Sequence, residues 1–149
     1  MIKKIVKYAE KQGFDVYLGT ESTVMFKRTY PTNKPSAIEI RKQKNKTYEL
    51  YDLLHELGHY LIRKDWRAYK EAYPHTTQAE YQHYRKGIYK YKRRLGYHVE
   101  TVKEEYAAWD EGLKLARKKR IPIDVEDYRN YSNRMLATYV RFYGESLTR

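Results

Sequence analysis

The chain contains no cysteine among its 149 residues. Disulfide bonds, iron–sulfur clusters and zinc sites with thiolate ligands are therefore excluded. A metal ion in this protein must be held by histidine and carboxylate side chains.

Long apolar runs are also missing, and the longest are far below the ~20 residues of a membrane-spanning helix. Residues 1–8 carry lysines without a continuous apolar segment behind them, so no signal peptide is expected. There is no internal repeat and no flexible linker. With 41% hydrophobic and 34% charged residues, residues 1–149 are expected to form one soluble domain in the cytoplasm, with no membrane partner.

Acidic residues are few relative to basic ones, 19 against 31, which gives a formal net charge of +12. Several of the 18 tyrosines lie among lysines and arginines, namely Tyr81, Tyr84, Tyr89, Tyr91 and Tyr97. Such a pattern can stack bases and hold phosphates, which predicts weak, non-specific nucleic-acid binding. The favoured interpretation is a solvated helix whose tyrosine rings cover the core.

Hydrophobic periodicity predicts an α+β fold, with a small N-terminal antiparallel sheet and a helix followed by a mostly helical C-terminal half. Asp124 is the expected cap of the last helix. Pro31, Asn33 and Pro35 mark a loop. The predicted elements are helices over residues 2–12, 47–63, 77–95, 99–119 and 124–143, a short helical segment ending at Pro74, and strands over residues 16–18, 23–28 and 37–41.

Residues 55–59 read His-Glu-Leu-Gly-His, an H-E-x-x-H motif. On a helix, positions four apart share a face, so His55 and His59 can direct two imidazole nitrogens at one metal ion. Glu56 can then take a proton from a water activated by that metal. Leucines at positions 50, 53, 54, 57 and 61 have the spacing of an amphipathic helix. Gly58 in that helix suggests that another part of the chain packs close to its backbone, and the sequence does not show which part.

A zinc site of this kind needs a third protein ligand. His75, His83 and His98 are candidates, but Glu105 lies on the apolar stripe of the predicted helix over residues 99–119. A carboxylate directed into a core is costly unless it is paired or bound to a metal. The same helical geometry predicts that Glu104 turns away from this stripe. The expected ligands are therefore His55, His59 and Glu105.

These segments resemble the gluzincin zinc peptidases, and within them the compact ImmA/IrrE-like metallopeptidases. The resemblance rests on residues 36–62 with the H-E-x-x-H motif and on Glu105 with the residues that follow it, up to Trp109. It implies a minimal zincin-like domain that binds Zn²⁺ and cleaves a protein or peptide substrate. The three ligands would be those named above, with Glu56 as the general base.

The chain departs from the family pattern in three respects. The interval from His59 to Glu105 is 46 residues (105 − 59), longer than expected. Trp109 replaces the usual asparagine, and no helix-turn-helix module is evident. The substrates of the family therefore cannot be carried over.

Two further parts of a peptidase site have candidates. The strand over residues 37–41 resembles the edge strand along which zinc peptidases align an extended substrate. Tyr128, Tyr131, Tyr139, His98 or an arginine could donate a hydrogen bond to the oxyanion. Two other functions stay open, a basic nucleic-acid-binding protein with a structural motif, and a zinc-binding protein without activity.

Overall fold

A computed structural model describes residues 1–27 and 33–147. Within them the predicted α+β architecture is confirmed, because a helix and a small sheet precede a largely helical C-terminal half. The elements are α1 (Ile2–Lys11), β1 (Asp15–Gly19), β2 (Thr23–Phe26), β3 (Pro35–Arg41), α2 (Lys46–Arg63), α3 (Trp66–Ala72), α4 (Pro74–Lys86), α5 (Leu95–Lys118) and α6 (Val125–Leu147), with a short 3₁₀ helix at Lys90–Arg93.

The sheet has the strand order β1-β3-β2, so β3 lies in the middle. β2 pairs with β3 in antiparallel orientation, whereas β1 pairs with β3 in parallel, with Val16 opposite Ile38. The prediction of a purely antiparallel sheet is therefore wrong at β1. Alternation within a strand does not encode which strand lies beside it. Arg28, predicted at the end of the second strand, and Pro31 of the predicted loop lie outside the described residues.

The core lies where the sheet, α1 and the long helix α2 meet α5 and α6. Ile38 and Ile40 lie two positions apart on β3, so they share one face of the strand, as their spacing predicts. Both are buried. On α2 the leucine stripe is buried from Leu50 to Leu57, and Leu61 is half-buried at its end. Burial of each side chain of this size contributes roughly 1.5–3 kcal/mol to the free energy of folding, compared with leaving it exposed. This burial fixes α2 against the sheet.

Helix α5 crosses α2 at very short range because glycines remove the intervening side chains. A Cβ added at Gly58 would lie 2.0 Å from the carbonyl oxygen of Ala108. A Cβ added at Gly112 would lie 2.6 Å from the carbonyl oxygen of Leu54. The expected close packing at Gly58 is confirmed, and its partner is the α5 backbone.

The boundaries of α4 and α5 differ from the prediction. α4 ends at Lys86, where Gly87 takes a left-handed conformation with φ of 67°, instead of continuing to residue 95. Gly96 lies inside α5, against the ring of His75. A left-handed glycine terminates a helix, but composition does not reveal which of two glycines adopts that conformation.

Side chains cap the starts of α2 and α6. The Asn45 side chain accepts a hydrogen bond from the Thr47 amide, 2.9 Å, at the start of α2. The predicted cap at Asp124 is confirmed, because its carboxylate accepts from the Asp127 amide at 3.0 Å. No helix in the described part of the chain is long and apolar enough to cross a membrane.

Candidate metal centre

Helix α2 presents His55 and His59 to one side. Their Nε2 atoms lie 3.3 Å apart, as the four-residue spacing predicts. The ring of His55 stacks on Trp109 with 4.1 Å between ring centres, which fixes its orientation. Both histidines are almost fully removed from solvent. Two well-oriented nitrogens therefore converge on one point.

Helix α5 brings Glu105 to the same point. One carboxylate oxygen lies 3.0 Å from His55 Nε2, and the other lies 3.4 Å from His59 Nε2. The ligand atoms of the three residues lie within 4.8 Å of one another. The chain therefore brings together the three residues that the sequence singled out.

The donor set fits a divalent transition metal. The two imidazole nitrogens lie 3.3 Å apart, and both lie within 3.4 Å of a Glu105 carboxylate oxygen. A cation at this point would satisfy both nitrogens and the carboxylate together. A His₂Glu set suits zinc, although nitrogen and oxygen ligands also accept other first-row metals.

Glu104 binds the Nδ1 side of the His59 ring, opposite the side that faces Glu105. The Nδ1–H of His59 donates to Glu104 Oε1 at 3.1 Å, which leaves Nε2 free to act as a ligand. The same carboxylate accepts from Arg63 Nε at 2.8 Å and from the Tyr69 hydroxyl at 2.7 Å. Burial raises the pKa of Glu104, but His59 and Arg63 outweigh it and lower that pKa to about 2. The prediction that Glu104 turns away is wrong, because it is buried at the site.

Arg63 extends this network to α4. Its Nη1 donates to Glu80 Oε1 at 2.9 Å, and its guanidinium lies 4.7 Å from the ring centre of Tyr69. Sequence reasoning missed Arg63, Glu80 and Tyr69. Arg63 carried a usable signal, because it follows His59 by four residues on the same helix face.

Glu56 lies beside the histidines on α2 and lines the same cleft. Its side chain is buried, and burial raises the pKa of its carboxyl. The positive charges that His55 and His59 can carry oppose this shift. A buried carboxylate next to the candidate ligands is suitably placed to exchange a proton with a water molecule there.

The site opens into a cleft of about 610 Å³. Residues 22–27, which include all of β2, form one wall, and α4 and α5 contribute the opposite side. The strand over residues 37–41 is not an edge strand as predicted, since β3 is paired on both sides. Among the described strands, β2 is the outer strand at the cleft. Strand order, which local sequence does not specify, decides this.

The candidates for an oxyanion donor differ in their contacts and in whether they line the cleft. Tyr128 donates to the Trp109 carbonyl at 2.7 Å, and Tyr131 donates to Asp52 at 2.8 Å, so both hydroxyls serve packing. His98 packs against Tyr143. Tyr139 on α6 lines the cleft. Burial raises its pKa, and the nearby carboxylates of Glu105 and Glu56 raise it further.

The remaining histidines lie elsewhere. His75 pairs with Glu100 at 2.9 Å, and His83 packs against the rings of Tyr84 and Tyr89. Within the described residues, no group that could hold a metal includes these histidines or His98.

No protein-family model, curated protein or solved structure matches the chain. The resemblance to the gluzincin peptidases therefore stays a prediction. Function must be inferred from the geometry around His55, His59 and Glu105.

Proposed function

We propose that the protein is a zinc-dependent peptidase that hydrolyses peptide bonds in a protein or peptide substrate. One observation carries the proposal: His55, His59 and Glu105 converge within 4.8 Å, with Glu56 beside them in a cleft. A buried carboxylate next to a possible His₂Glu metal site is the arrangement that hydrolytic zinc enzymes use.

His55 and His59 would hold the metal through Nε2, and Glu105 through a carboxylate oxygen. A zinc ion bound by these three residues would supply an acidified water molecule and would polarise the substrate carbonyl. Glu104 holds His59 through Nδ1, and Trp109 stacks on His55, so both rings are oriented before any ligand arrives.

Glu56 is the proposed general base. Its carboxylate accepts a proton from the attacking water and later delivers that proton to the nitrogen of the leaving amine. Its neighbour His55 points at the candidate metal point, and Glu56 itself is not part of the converging group. This separation leaves the carboxylate available for proton transfer.

The substrate would lie along β2. Its outer edge can pair with an extended peptide through backbone hydrogen bonds, which give affinity without demanding a particular sequence. A cleft of about 610 Å³ is within the usual range for ligand sites. Tyr139 reaches the cleft from the other side, where its hydroxyl can donate to the carbonyl oxygen as negative charge develops.

Glu56→Gln tests the proposal, because it keeps the shape of the side chain and removes the base. Peptide libraries and protein lysates supply the substrate. We expect unchanged metal content and a fall in cleavage rate of at least about 100-fold. Glu10→Gln, at an exposed position on α1, is the matched control and should cleave at the wild-type rate.

A Glu56→Gln variant that cleaves as fast as wild type would overturn the mechanism. A metal-loaded, folded protein that cleaves nothing in these libraries would instead favour a site that has kept its metal without activity.

A further inference from the structure

The segment between Tyr81 and Arg94, from late α4 to the start of α5, is strongly basic. It carries six lysines and arginines and no acidic residue, namely Arg85, Lys86, Lys90, Lys92, Arg93 and Arg94. The nearest preceding acid, Glu80, is buried and bonded to Arg63. The segment is therefore a concentrated source of positive charge.

Three tyrosine side chains of this segment are exposed. Tyr81 is 41% exposed, Tyr84 56% and Tyr89 54%. The sequence favoured rings that cover the core with hydroxyls in water, and for these three side chains that interpretation stays a prediction. Tyr97 is different, since it is half-buried.

Cations lie against these rings. Lys86 Nζ is 5.7 Å from the ring centre of Tyr81, and Lys92 Nζ is 5.4 Å from the ring centres of both Tyr84 and Tyr89. Arg94 stacks on Tyr91 at 4.1 Å. We call Tyr81, Tyr84, Lys86, Tyr89, Lys92 and Arg94 the tyrosine–lysine surface. In the part of the chain that the structure describes, no ion pair within 4.0 Å holds Lys86, Lys92 or Arg94.

A groove adjoins this surface at Tyr81. It has a volume of about 460 Å³ and lies between α3 and α4. Its lining combines two aromatic rings with one cation and with hydrogen-bonding groups: Trp66, Lys70, Pro74, Thr77, Gln78 and Tyr81. Its rings and Lys70 extend the aromatic and basic character of the surface towards α3.

We propose that the tyrosine–lysine surface binds single-stranded nucleic acid. The lysines and Arg94 contact phosphates, and the exposed rings stack on unpaired bases. Charge alone would suit any polyanion, but exposed tyrosine side chains paired with cations favour a ligand whose anions alternate with flat bases. A duplex hides those base faces, so it should bind more weakly.

Fluorescence anisotropy with a labelled oligodeoxythymidine of about 15 nucleotides, a typical upper site size, tests this proposal. We expect Tyr89→Ala to weaken binding about tenfold, the usual effect of removing one stacked ring. Lys86→Gln with Lys92→Gln should weaken it further and flatten its salt dependence. Tyr17→Ala and Lys7→Gln, at exposed positions on β1 and α1, are matched controls and should bind like wild type.

Equal affinity for a duplex of the same length would overturn the proposal, and so would equal affinity for vesicles rich in phosphatidylserine. An unchanged affinity of Tyr89→Ala would also reject stacking. Glu56→Gln should bind the oligonucleotide like wild type, so a failed peptidase proposal and a failed nucleic-acid proposal remain distinguishable.

Discussion

Glu104 and Glu105 are neighbours on α5, yet they contact opposite sides of one imidazole ring. Glu105 faces His59 Nε2 at 3.4 Å, and Glu104 accepts from His59 Nδ1 at 3.1 Å. Adjacent helical residues point about 100° apart, so both reach His59 only because α5 lies directly against α2. The first can serve as a metal ligand and the second as its positioning partner.

Tyr139 is the candidate donor to the oxyanion. Tyr139→Phe removes only the hydroxyl, so it should lower kcat about 100-fold through loss of an oxyanion donor and leave KM nearly unchanged. Steady-state kinetics on a cleaved peptide would measure both constants. Tyr106→Phe, exposed on α5, is the control and should keep the wild-type kcat. A Tyr139→Phe variant with wild-type kcat would remove Tyr139 from the mechanism.

At the scale of elements, the α2–α5 crossing holds the site together. Gly58 on α2 lies against the backbone of Ala108 on α5. Gly112 on α5 lies against the backbone of Leu54 on α2, so each glycine leaves space for the other helix. The two histidines lie on α2 near this crossing, and the two glutamates lie on α5. Any increase in the distance between the helices would separate the ligands.

Gly58→Ala should therefore be strongly destabilising. Its added methyl group would meet the Ala108 carbonyl, and overpacking of this kind costs about 1–3 kcal/mol or more. Gly144→Ala, in α6 with open space around the glycine, should instead stabilise by roughly 0.5–1 kcal/mol. Thermal unfolding compares the two variants. If Gly58→Ala unfolds at the same temperature as wild type, the close crossing is wrong.

Glu100 ties α5 to the start of α4. Its carboxylate accepts from the Thr76 amide at 2.6 Å and from the His75 amide at 3.1 Å. Burial raises the pKa of Glu100, but these hydrogen bonds outweigh it and hold the pKa below the ordinary value of 4.5. A lowered pKa means that the ionised carboxylate stabilises the fold at neutral pH, and that this stability is lost as the pH falls through the lowered pKa.

Glu100→Gln should therefore destabilise the protein at pH 7 by about 1–2 kcal/mol, the range for a hydrogen bond to a charged group. The difference from wild type should shrink as the pH falls from 4.5 through the lowered pKa of Glu100, where wild type also loses the charge. Urea unfolding at several pH values measures this. Glu111→Gln, in a surface pair with Lys114, should change little. A pH-independent effect of Glu100→Gln would contradict the assigned role.

Much of this arrangement follows from local sequence patterns. The leucine spacing places α2, the four-residue interval places the two histidines on one face, and the apolar stripe of α5 selects Glu105. Each of these depends on the geometry of one helix, which is fixed by residues close in sequence.

What the sequence could not predict depends on how distant elements meet. The outer strand is β2 instead of β3, because β1 pairs with β3 from the other side. Glu104 faces the site because the crossing at Gly58 brings α5 close enough for two adjacent positions to reach it. Neither of these has a signature within a single segment.

Across the whole molecule, charge is distributed unevenly. Seven of the 19 acidic residues are buried, namely Glu49, Asp52, Glu56, Glu80, Glu100, Glu104 and Glu105. Four of them line the cleft. The interior around the candidate metal point is therefore acidic, whereas the outer surface carries most of the 31 basic residues. An acidic interior attracts a cation, and a basic exterior attracts polyanions.

Metal analysis of the purified protein tests the central claim most directly. Elemental analysis should find one zinc ion per wild-type chain and almost none in Glu105→Ala, whereas Glu104→Gln should keep its zinc at saturating metal but bind it about 10–100-fold more weakly. The account is contradicted if wild type holds no tightly bound divalent metal, or if Glu105→Ala retains a full equivalent of zinc.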